Sequence, residues 1–344
     1  MKKPDKDVTI YDIAKRLNIS AATVSRSMGN HAGTSEKTRQ MVLAMAKKMG
    51  YNSNAYASNL RSKKSHVIGV IVPRLNSNFI AEVIAGIEVE VNKANYTLIV
   101  SQSLEKMAHE INSTELMTSN RVAGVLASLA YDTGNVSHFE NLTKKNIPVI
   151  FFDRVQKLEG VPAVFIDNVK AGYEVTDHLV QQGCKNIMHV TASQLQNVYA
   201  DRYKGYRQAL AKHGLPFVEG MVAITNLSGQ DGVEIAEKIM KMAVKPDGIF
   251  FANDTCAVNC MVTLKKNGIR IPQDVAIAGF NNDPVTCLAE PNLTTVDYNG
   301  FAMGKLVARM LINHLNHKSS WQDMESVILK SNLIVRASSL RNPE

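Results

Sequence analysis

The stretch Thr9-Ile10-Tyr11-Asp12-Ile13-Ala14-Lys15-Arg16-Leu17-Asn18-Ile19-Ser20-Ala21-Ala22-Thr23-Val24-Ser25-Arg26 decides how the first part of this chain reads. Thr9 is a helix N-cap with Asp12 at N3, a carboxylate variant of the capping box. Ile10, Ile13, Ala14 and Leu17 then fall at i, i+3, i+4 and i+7, one apolar face of a short helix. Asn18-Ile19 supplies a tight turn, and Ser20 caps a second helix over Ala21–Met28. Working outward, Ser35 caps a third helix with Val42, Met45, Ala46 and Met49 on its inner face. Gly50 stands where a helix C-terminus takes a residue tolerant of positive φ. Three short helices with a four-residue break between the first two have the layout of a helix-turn-helix. A three-helix protein-interaction bundle is the bland alternative.

Charge separates these readings. Residues 1–66 hold 13 Lys/Arg and 4 acids, a net +9, whereas the remaining residues hold 26 and 27, a net −1. A cationic head on a nearly neutral body points to a polyanion partner for the head alone. The second helix is then the reader. Ala21, Ala22 and Ser25 are small or hydrogen-bonding and let it sit deep in a major groove. Arg26, one turn on, reaches guanine O6/N7, while Thr23, Ser25 and the amides of the helix N-terminus hold phosphates.

The motifs Thr9-Ile10-Tyr11-Asp12-Ile13-Ala14, Ile19-Ser20-Ala21-Ala22-Thr23-Val24-Ser25-Arg26 and Lys37-Thr38-Arg39 resemble the head of the lactose/galactose-repressor (LacI/GalR) family of bacterial transcription regulators. Gly50-Tyr51 and Asn54-Ala55-Tyr56-Ala57-Ser58-Asn59-Leu60 continue the match. Ser53, Ser58 and Gly29 depart from the proline, arginine and asparagine usual in the family, a difference that bears on operator detail. The resemblance implies DNA contacts from Tyr11, Ser20, Ala21, Ala22, Thr23, Ser25, Arg26, Ser35 and Thr38. It also implies a hinge helix, paired in the minor groove, with contacts from Asn54 and Ala57 and a wedge at Leu60. On its own, Ala55–Arg61 makes about two turns, short of the roughly 12–15 residues an isolated helix needs in water. The expected organisation is a DNA-binding domain at 1–52, a hinge at 53–65 and an effector-binding and dimerisation body at 66–344.

From His66 the pattern changes to short apolar runs between helical stretches. Strands are expected at Val67–Val72, Thr97–Val100, Val122–Ala127, Pro148–Phe152, Val161–Ile166, Asn186–Val190, Gly248–Ala252, Val275–Gly279, Leu293–Val296 and Val327–Leu329. Amphipathic segments between them include Phe79–Ala94, Ala171–Gln182, Tyr203–His213, Val233–Met242, Ala257–Asn267 and Met303–His314. Such alternation predicts right-handed βα units and parallel sheets covered on both faces. Ten strands divide naturally into two sheets. The fold class is therefore an all-α helix-turn-helix head plus an α/β body of two doubly wound parallel-sheet lobes. The family resemblance adds the likeness to a type I periplasmic binding protein. The lobes are expected at about 66–165 with 297–325, and about 166–296 with 326–341.

Ligands of open α/β sheets bind outside the carboxyl ends of strands. Asp153, Asn253 and Asn281 follow three expected strands, and Arg202 lies where a helix begins after a loop. The resemblance implies that Phe79, Ser128, Asp153, Arg202, Asn253 and Asn281 line an effector pocket. A sugar or sugar derivative is the first expectation and a nucleobase or nucleoside the second. Many relatives carry aspartate where Asn281 stands. The sole tryptophan, Trp321, lies beyond these landmarks.

Other chemistry is thin. No phosphate-cradling or nucleophile-elbow motif occurs. Cys256 and Cys260, at i,i+4, read as buried thiols rather than metal ligands. No enzyme activity, metal or cofactor is expected. The longest apolar runs fall far short of the roughly 20 residues of a membrane span. Scattered cysteines and a basic start with no apolar stretch behind it point to a cytoplasmic address. A homodimer on a pseudo-palindromic operator is expected, because two-fold protein symmetry imposes two-fold DNA symmetry, and the absence of a heptad tail argues against a tetramer. The rivals are a transport or sensor binding protein without DNA, and a regulator that takes a phosphoprotein in place of the sugar.

Overall fold

The computed structural model describes residues 8–28, 34–51, 65–317 and 324–341. The expected hinge contacts at Asn54, Ala57 and Leu60 lie outside the described residues, as do Gly29 and Trp321. The chain divides into two units, residues 1–65 and residues 66–344.

The first unit contains α1 (Ile10–Leu17), α2 (Ala21–Met28) and α3 (Glu36–Lys48). Its core is Ile13, Ala14, Val24, Val42 and Ala46, flanked by Leu17, Ile19, Ala21, Met45, Met49 and Tyr51. The turn forms because Asn18 takes the left-handed conformation at φ 51°, which Asn tolerates. Ile19 N–H then returns to the Ala14 carbonyl at 3.1 Å, ending α1 and aiming the chain into α2.

The second unit holds two parallel sheets. Strands β1 (Val67–Val72), β2 (Thr97–Gln102), β3 (Gly124–Ala127), β4 (Val149–Phe152) and β5 (Ala163–Ile166) join β11 (Val327–Leu329) in the order β11-β5-β4-β3-β1-β2. Strands β6 (Ile187–Thr191), β7 (Val222–Ile224), β8 (Gly248–Phe251) and β9 (Ala276–Ala278) form the second sheet in the order β7-β6-β8-β9. β10 (Thr295–Asp297) and β12 (Asn332–Ile334) make a separate antiparallel ribbon. The central strands β3, β4 and β8 are buried at every residue, as expected of parallel strands covered on both faces. In each sheet the strand order reverses beside the first strand, between β1 and β3 and between β6 and β8. These are the topological switch points at which such sheets open a crevice.

One expected boundary is corrected. Residues 326–341 do not all belong to the second lobe: Val327–Leu329 pairs in parallel with Val164–Ile166 at the edge of the first sheet. The helix before it (α12, Gly300–Leu315) packs on β3, β4 and β5 and delivers the chain to that vacant edge. The return to the second lobe comes later, where Ile277 N–H donates to the Ser338 carbonyl at 2.9 Å. The Leu293–Val296 expectation is likewise realised as a ribbon with β12 rather than as a sheet strand.

The helices of the second lobe begin several residues before their apolar periodicity does, at Asn168, Asn197, Gly229 and Asp254. Three of these first turns supply cleft residues: Val198 and Tyr199, Gly229, and Thr255. The helices α7 (Asn168–Gln181) and α8 (Asn197–Lys212) approach so closely that a Cβ on Gly205 would strike the Val169 carbonyl and the Tyr173 amide.

Candidate functional site

Two sites answer to the sequence, one in each unit. In the first unit the Thr9–Asp12 capping box is complete: Thr9 N–H donates to Asp12 Oδ2 at 2.8 Å, and Asp12 N–H to Thr9 Oγ1 at 3.4 Å. Ser20 and Ser35 cap their helices alike, accepting from Thr23 N–H at 3.1 Å and Thr38 N–H at 3.2 Å. Each serine hydroxyl also meets the threonine hydroxyl three residues on, at 2.9 Å and 2.8 Å. The remaining first-turn amides of α2 are available to an anion, as at other helix N-termini. Tyr11, Ser20, Ala22, Arg26 and Ser35 are exposed, and Thr23, Ser25 and Thr38 half-buried. Ala21, read with Ala22 and Ser25 as facing the groove, is half-buried and packs against the head's own core. The Arg26 guanidinium leans on the Ala22 carbonyl at 3.4 Å, on the exposed side of the helix.

In the second unit a cavity of about 290 Å3 lies between the lobes. Phe79, Asp153, Arg202, Asn253 and Asn281 all line it. Ser128 does not: it is fully buried after β3, and its hydroxyl has no hydrogen-bond partner among the described residues. The five that converge come from the carboxyl ends of β4, β8 and β9, from the first turn of α4 (Asn78–Lys93) and from the second turn of α8, which begins at Asn197 rather than at Arg202. The placement follows from the βα connections, which set strand ends and helix N-termini side by side at the switch points.

Each side chain is held by a local cause. Asp153 follows β4 at φ 59° and Asn281 follows β9 at φ 117°, conformations that Asp and Asn adopt at smaller cost than branched residues. Asn253 is the N-cap of the helix α10 (Asp254–Lys266). Its Oδ1 accepts from Cys256 N–H at 3.0 Å, and its Nδ2 donates to the Leu227 carbonyl at 2.8 Å. Much of that amide is therefore spent on structure. Arg202 donates from Nε to Asn168 Oδ1 and from Nη1 to the Ala252 carbonyl, both at 2.9 Å, and its guanidinium lies 3.5 Å from the centre of the Phe280 ring. Burial pushes the Asp153 carboxyl above its ordinary range, against the pull of the Arg154 and Arg202 guanidiniums.

The cleft also holds residues the sequence did not mark as site residues. Arg154 bridges the lobes: Nη1 donates to Glu105 Oε2 at 2.7 Å, Nη2 to Tyr199 Oη at 3.0 Å, and the guanidinium stands 4.4 Å over the Tyr131 ring. Tyr199 donates onward to Tyr131 Oη at 3.1 Å. On another wall Tyr298 donates to Asn281 Oδ1 at 3.2 Å and packs on Phe79, with ring centres 4.4 Å apart. Three tyrosines and a phenylalanine thus line the cavity. Arg154 was visible beside Asp153, and Tyr199 lies one helical turn before Arg202. No local signal marked Glu105, Tyr131 or Asp283, which reach the cleft from loops. Cys256 and Cys260 are buried thiols on the inner face of α10, and burial pushes Cys256 up to about 12.

Comparison with known proteins agrees with this arrangement. Residues 65–331 match the periplasmic binding proteins and sugar binding domain of the LacI family, and residues 9–54 match the bacterial regulatory proteins of the lacI family. Catabolite control protein A of Priestia megaterium is 31% identical over 316 residues, covering 91% of this chain and 94% of that protein. Among solved structures, the Lac repressor dimer bound to operator and the anti-inducer ONPF has the same fold, with a TM-score of 0.85 at 21% identity over 97% of this chain and 100% of that one. The CelR–cellobiose complex matches with a TM-score of 0.73 at 23% identity, over 96% and 99%. The chain belongs to the LacI family of DNA-binding transcription regulators, with a helix-turn-helix and a sugar-binding domain of periplasmic-binding-protein type. No helix among the described residues is long and apolar enough to cross a membrane.

Proposed function

We infer that this protein is a homodimeric repressor of transcription whose hold on a pseudo-palindromic operator is controlled by a carbohydrate bound between the lobes. The observation that carries this reading is the union, on one chain, of a cationic helix-turn-helix with a cleft whose polar side chains sit at the switch points of two parallel sheets. In the head, Ala22 and Arg26 face base edges, while Tyr11, Ser20, Thr23, Ser25, Ser35 and Thr38 hold phosphates and Ala21 supports the reading helix from its inner side. Asn54, Ala57 and Leu60 supply the minor-groove contacts. In the cleft, Asp153, Arg202, Asn253 and Asn281 exchange hydrogen bonds with hydroxyls, and Phe79 packs on the ring carbons. The solved Lac repressor is a dimer on its operator, and CelR was solved with cellobiose, which supports a homodimer and a sugar here. Exposed apolar side chains on both lobes, Val100 and Leu104 on the first and Ile224 and Leu288 on the second, are surface that a second copy would cover. The protein acts as a binding switch rather than a catalyst, and its place is the bacterial cytoplasm, where its DNA is.

The test is a thermal-shift screen of the full chain against sugars and nucleosides, followed by a gel-shift titration on operator fragments selected from genomic DNA. A sugar that raises the melting temperature and changes operator affinity is the expected result. Sequence-selective DNA retention that no sugar alters would overturn the sugar reading, and absence of salt-sensitive retention would overturn the whole.

A further inference from the structure

The loop after β9 carries Asp283 of the second lobe to the cleft wall, where it is buried. It is pinned there: its N–H donates to Asp254 Oδ2 at 2.8 Å, and its carbonyl accepts from Thr286 Oγ1 at 2.7 Å. Asp254, at the start of α10, is itself buried and takes a second hydrogen bond from Thr295 Oγ1 of β10 at 2.7 Å. Across the cleft stands α4 of the first lobe. Its Asn78 amide hydrogen-bonds the Asp283 carboxyl, and its exposed Glu82 brings another negative charge close by. Cations near this loop are engaged elsewhere. Arg336 donates to Asn282 Oδ1, Thr286 Oγ1 and the Leu293 carbonyl, and Asp297 of β10 takes the Asn282 amide. Of the arginines that line the cleft, Arg74 and Arg154 both pair with Glu105. The groups that act most on Asp283 and Asp254 are carboxyls, amides and a hydroxyl, with no cation among them.

We propose that closure of the two lobes takes a proton from solvent onto Asp283, so that acid favours the closed cleft and alkali the open one. With α4 against it, the Asp283 carboxylate has exchanged its water for one amide and faces a like charge. Burial first, and Glu82 after it, hold the group at about 6 despite the Asn78 hydrogen bond. Opening carries α4 away with the first lobe and returns water to the carboxyl, restoring its ordinary value near 3.9. A carboxyl raised in the closed state stabilises closure fully below its open value, and that contribution is lost as pH rises through about 6. The gap between the two values allows about 100-fold in the closing equilibrium at most, and about 10-fold between pH 7.5 and pH 5. Asp254 keeps Asp283 from swinging out of reach of Glu82, so the charge is relieved by a proton or by opening. Acidity therefore biases the same movement that a ligand held between the lobes would bias.

The experiment measures lobe separation in the full-length protein without any ligand. Nitroxide labels are placed at Lys145→Cys in the first lobe and Lys238→Cys in the second, both exposed, in a Cys287→Ser background whose other cysteines are buried. Excess unlabelled protein ensures that each pair of labels reports on one chain, and pulsed electron resonance gives the distance distribution. The ratio of the short-distance to the long-distance population should be about 10-fold higher at pH 5 than at pH 7.5. Asp283→Asn, shaped like the protonated carboxyl, should hold the pH 5 ratio at both pH values. Glu82→Gln should raise the short-distance population at pH 7.5 by about 2–3-fold. A wild-type distribution that does not move with pH, or that closes toward alkali, overturns the proposal, as does an Asp283→Asn protein that keeps the wild-type slope. Should Asp283→Asn not fold, Glu82→Gln decides, and behaviour identical to wild type would overturn the proposal.

Discussion

Replacing Arg202 with alanine tests whether the cleft is built around this guanidinium or merely bordered by it. Arg202 is 3% exposed and makes two hydrogen bonds of 2.9 Å, to Asn168 Oδ1 and the Ala252 carbonyl. Hydrogen bonds from a charged donor are worth about 1.5–3 kcal/mol each. The stacked cation 3.5 Å from the Phe280 centre adds about 2 kcal/mol in a desolvated setting. One side of the arginine faces the cavity, so water refills part of the hole and recovers some of that sum. A net loss of about 3–5 kcal/mol at neutral pH follows, comparable with breaking a buried ionic contact. The loss also depends on pH in a definite direction. Arg202 pulls the buried Asp153 carboxyl down, so its removal raises that group further in the folded state. A carboxyl raised on folding stabilises at low pH and loses that contribution as pH rises through its folded value. The deficit of R202A should therefore be smallest below the wild-type folded value of Asp153 and grow as pH rises through it. Urea unfolding of the full chain followed by circular dichroism, at several pH values, measures this. R202K should fall between, keeping the charge but not the planar stack. A deficit below about 1 kcal/mol, or one that does not change with pH, would refute the reasoning.

Three further outcomes are expected. Arg26→Ala should cost about 1–3 kcal/mol on operator and little on random duplex in a gel-shift titration, and equal losses on both would remove Arg26 from base reading. Gly205→Ala should separate α7 from α8, destabilise by about 1–3 kcal/mol and weaken effector binding through Arg202 one turn away; an unchanged melting temperature would contradict the close approach. Asp254 is buried and pushed up to about 7, although Thr295 Oγ1 and the Asp283 amide donate to it at 2.7 Å and 2.8 Å. Its contribution is complete below the unfolded value near 4 and lost as pH rises through about 7, so stability should fall by up to about 4 kcal/mol across that window. Asp254→Asn should flatten that slope in urea melts at graded pH, and an unaltered slope would exclude Asp254 as its source.

The head was almost wholly legible because its structure is set by neighbours. Thr9 and Asp12 cap one another, Asn18 takes the turn, and the apolar residues of α1 fall on a single face, all within a few residues of each other. Among the described residues of the head Ala21 differed, since whether a helix position faces inward depends on how α2 crosses the other two. In the body, the strands with continuous apolar runs were legible, whereas β7 and β12 were not: each is a three-residue strand, neither fully buried, with no pattern to display. The helix Met107–Ser119 escaped apolar periodicity for the opposite reason. It buries Glu110, Ser113 and Thr114, and Glu110 is satisfied by Ala130 N–H, Thr133 Oγ1 and His138 Nε2.

Local order in the chain was enough for the class of protein, for the two units and for the strand-end positions Asp153, Asn253 and Asn281, because caps, turns and βα connections act over a few residues. Tertiary structure alone decided which of these meet and what they have left to offer. It spent part of the Asn253 amide on a helix cap, withdrew Ser128 from the cleft and carried Val327–Leu329 to the first sheet. It also brought Glu105 and Arg154, 49 residues apart, within 2.7 Å. Charge balance in a cavity is a property of such long-range meetings, and no window along the sequence contains it.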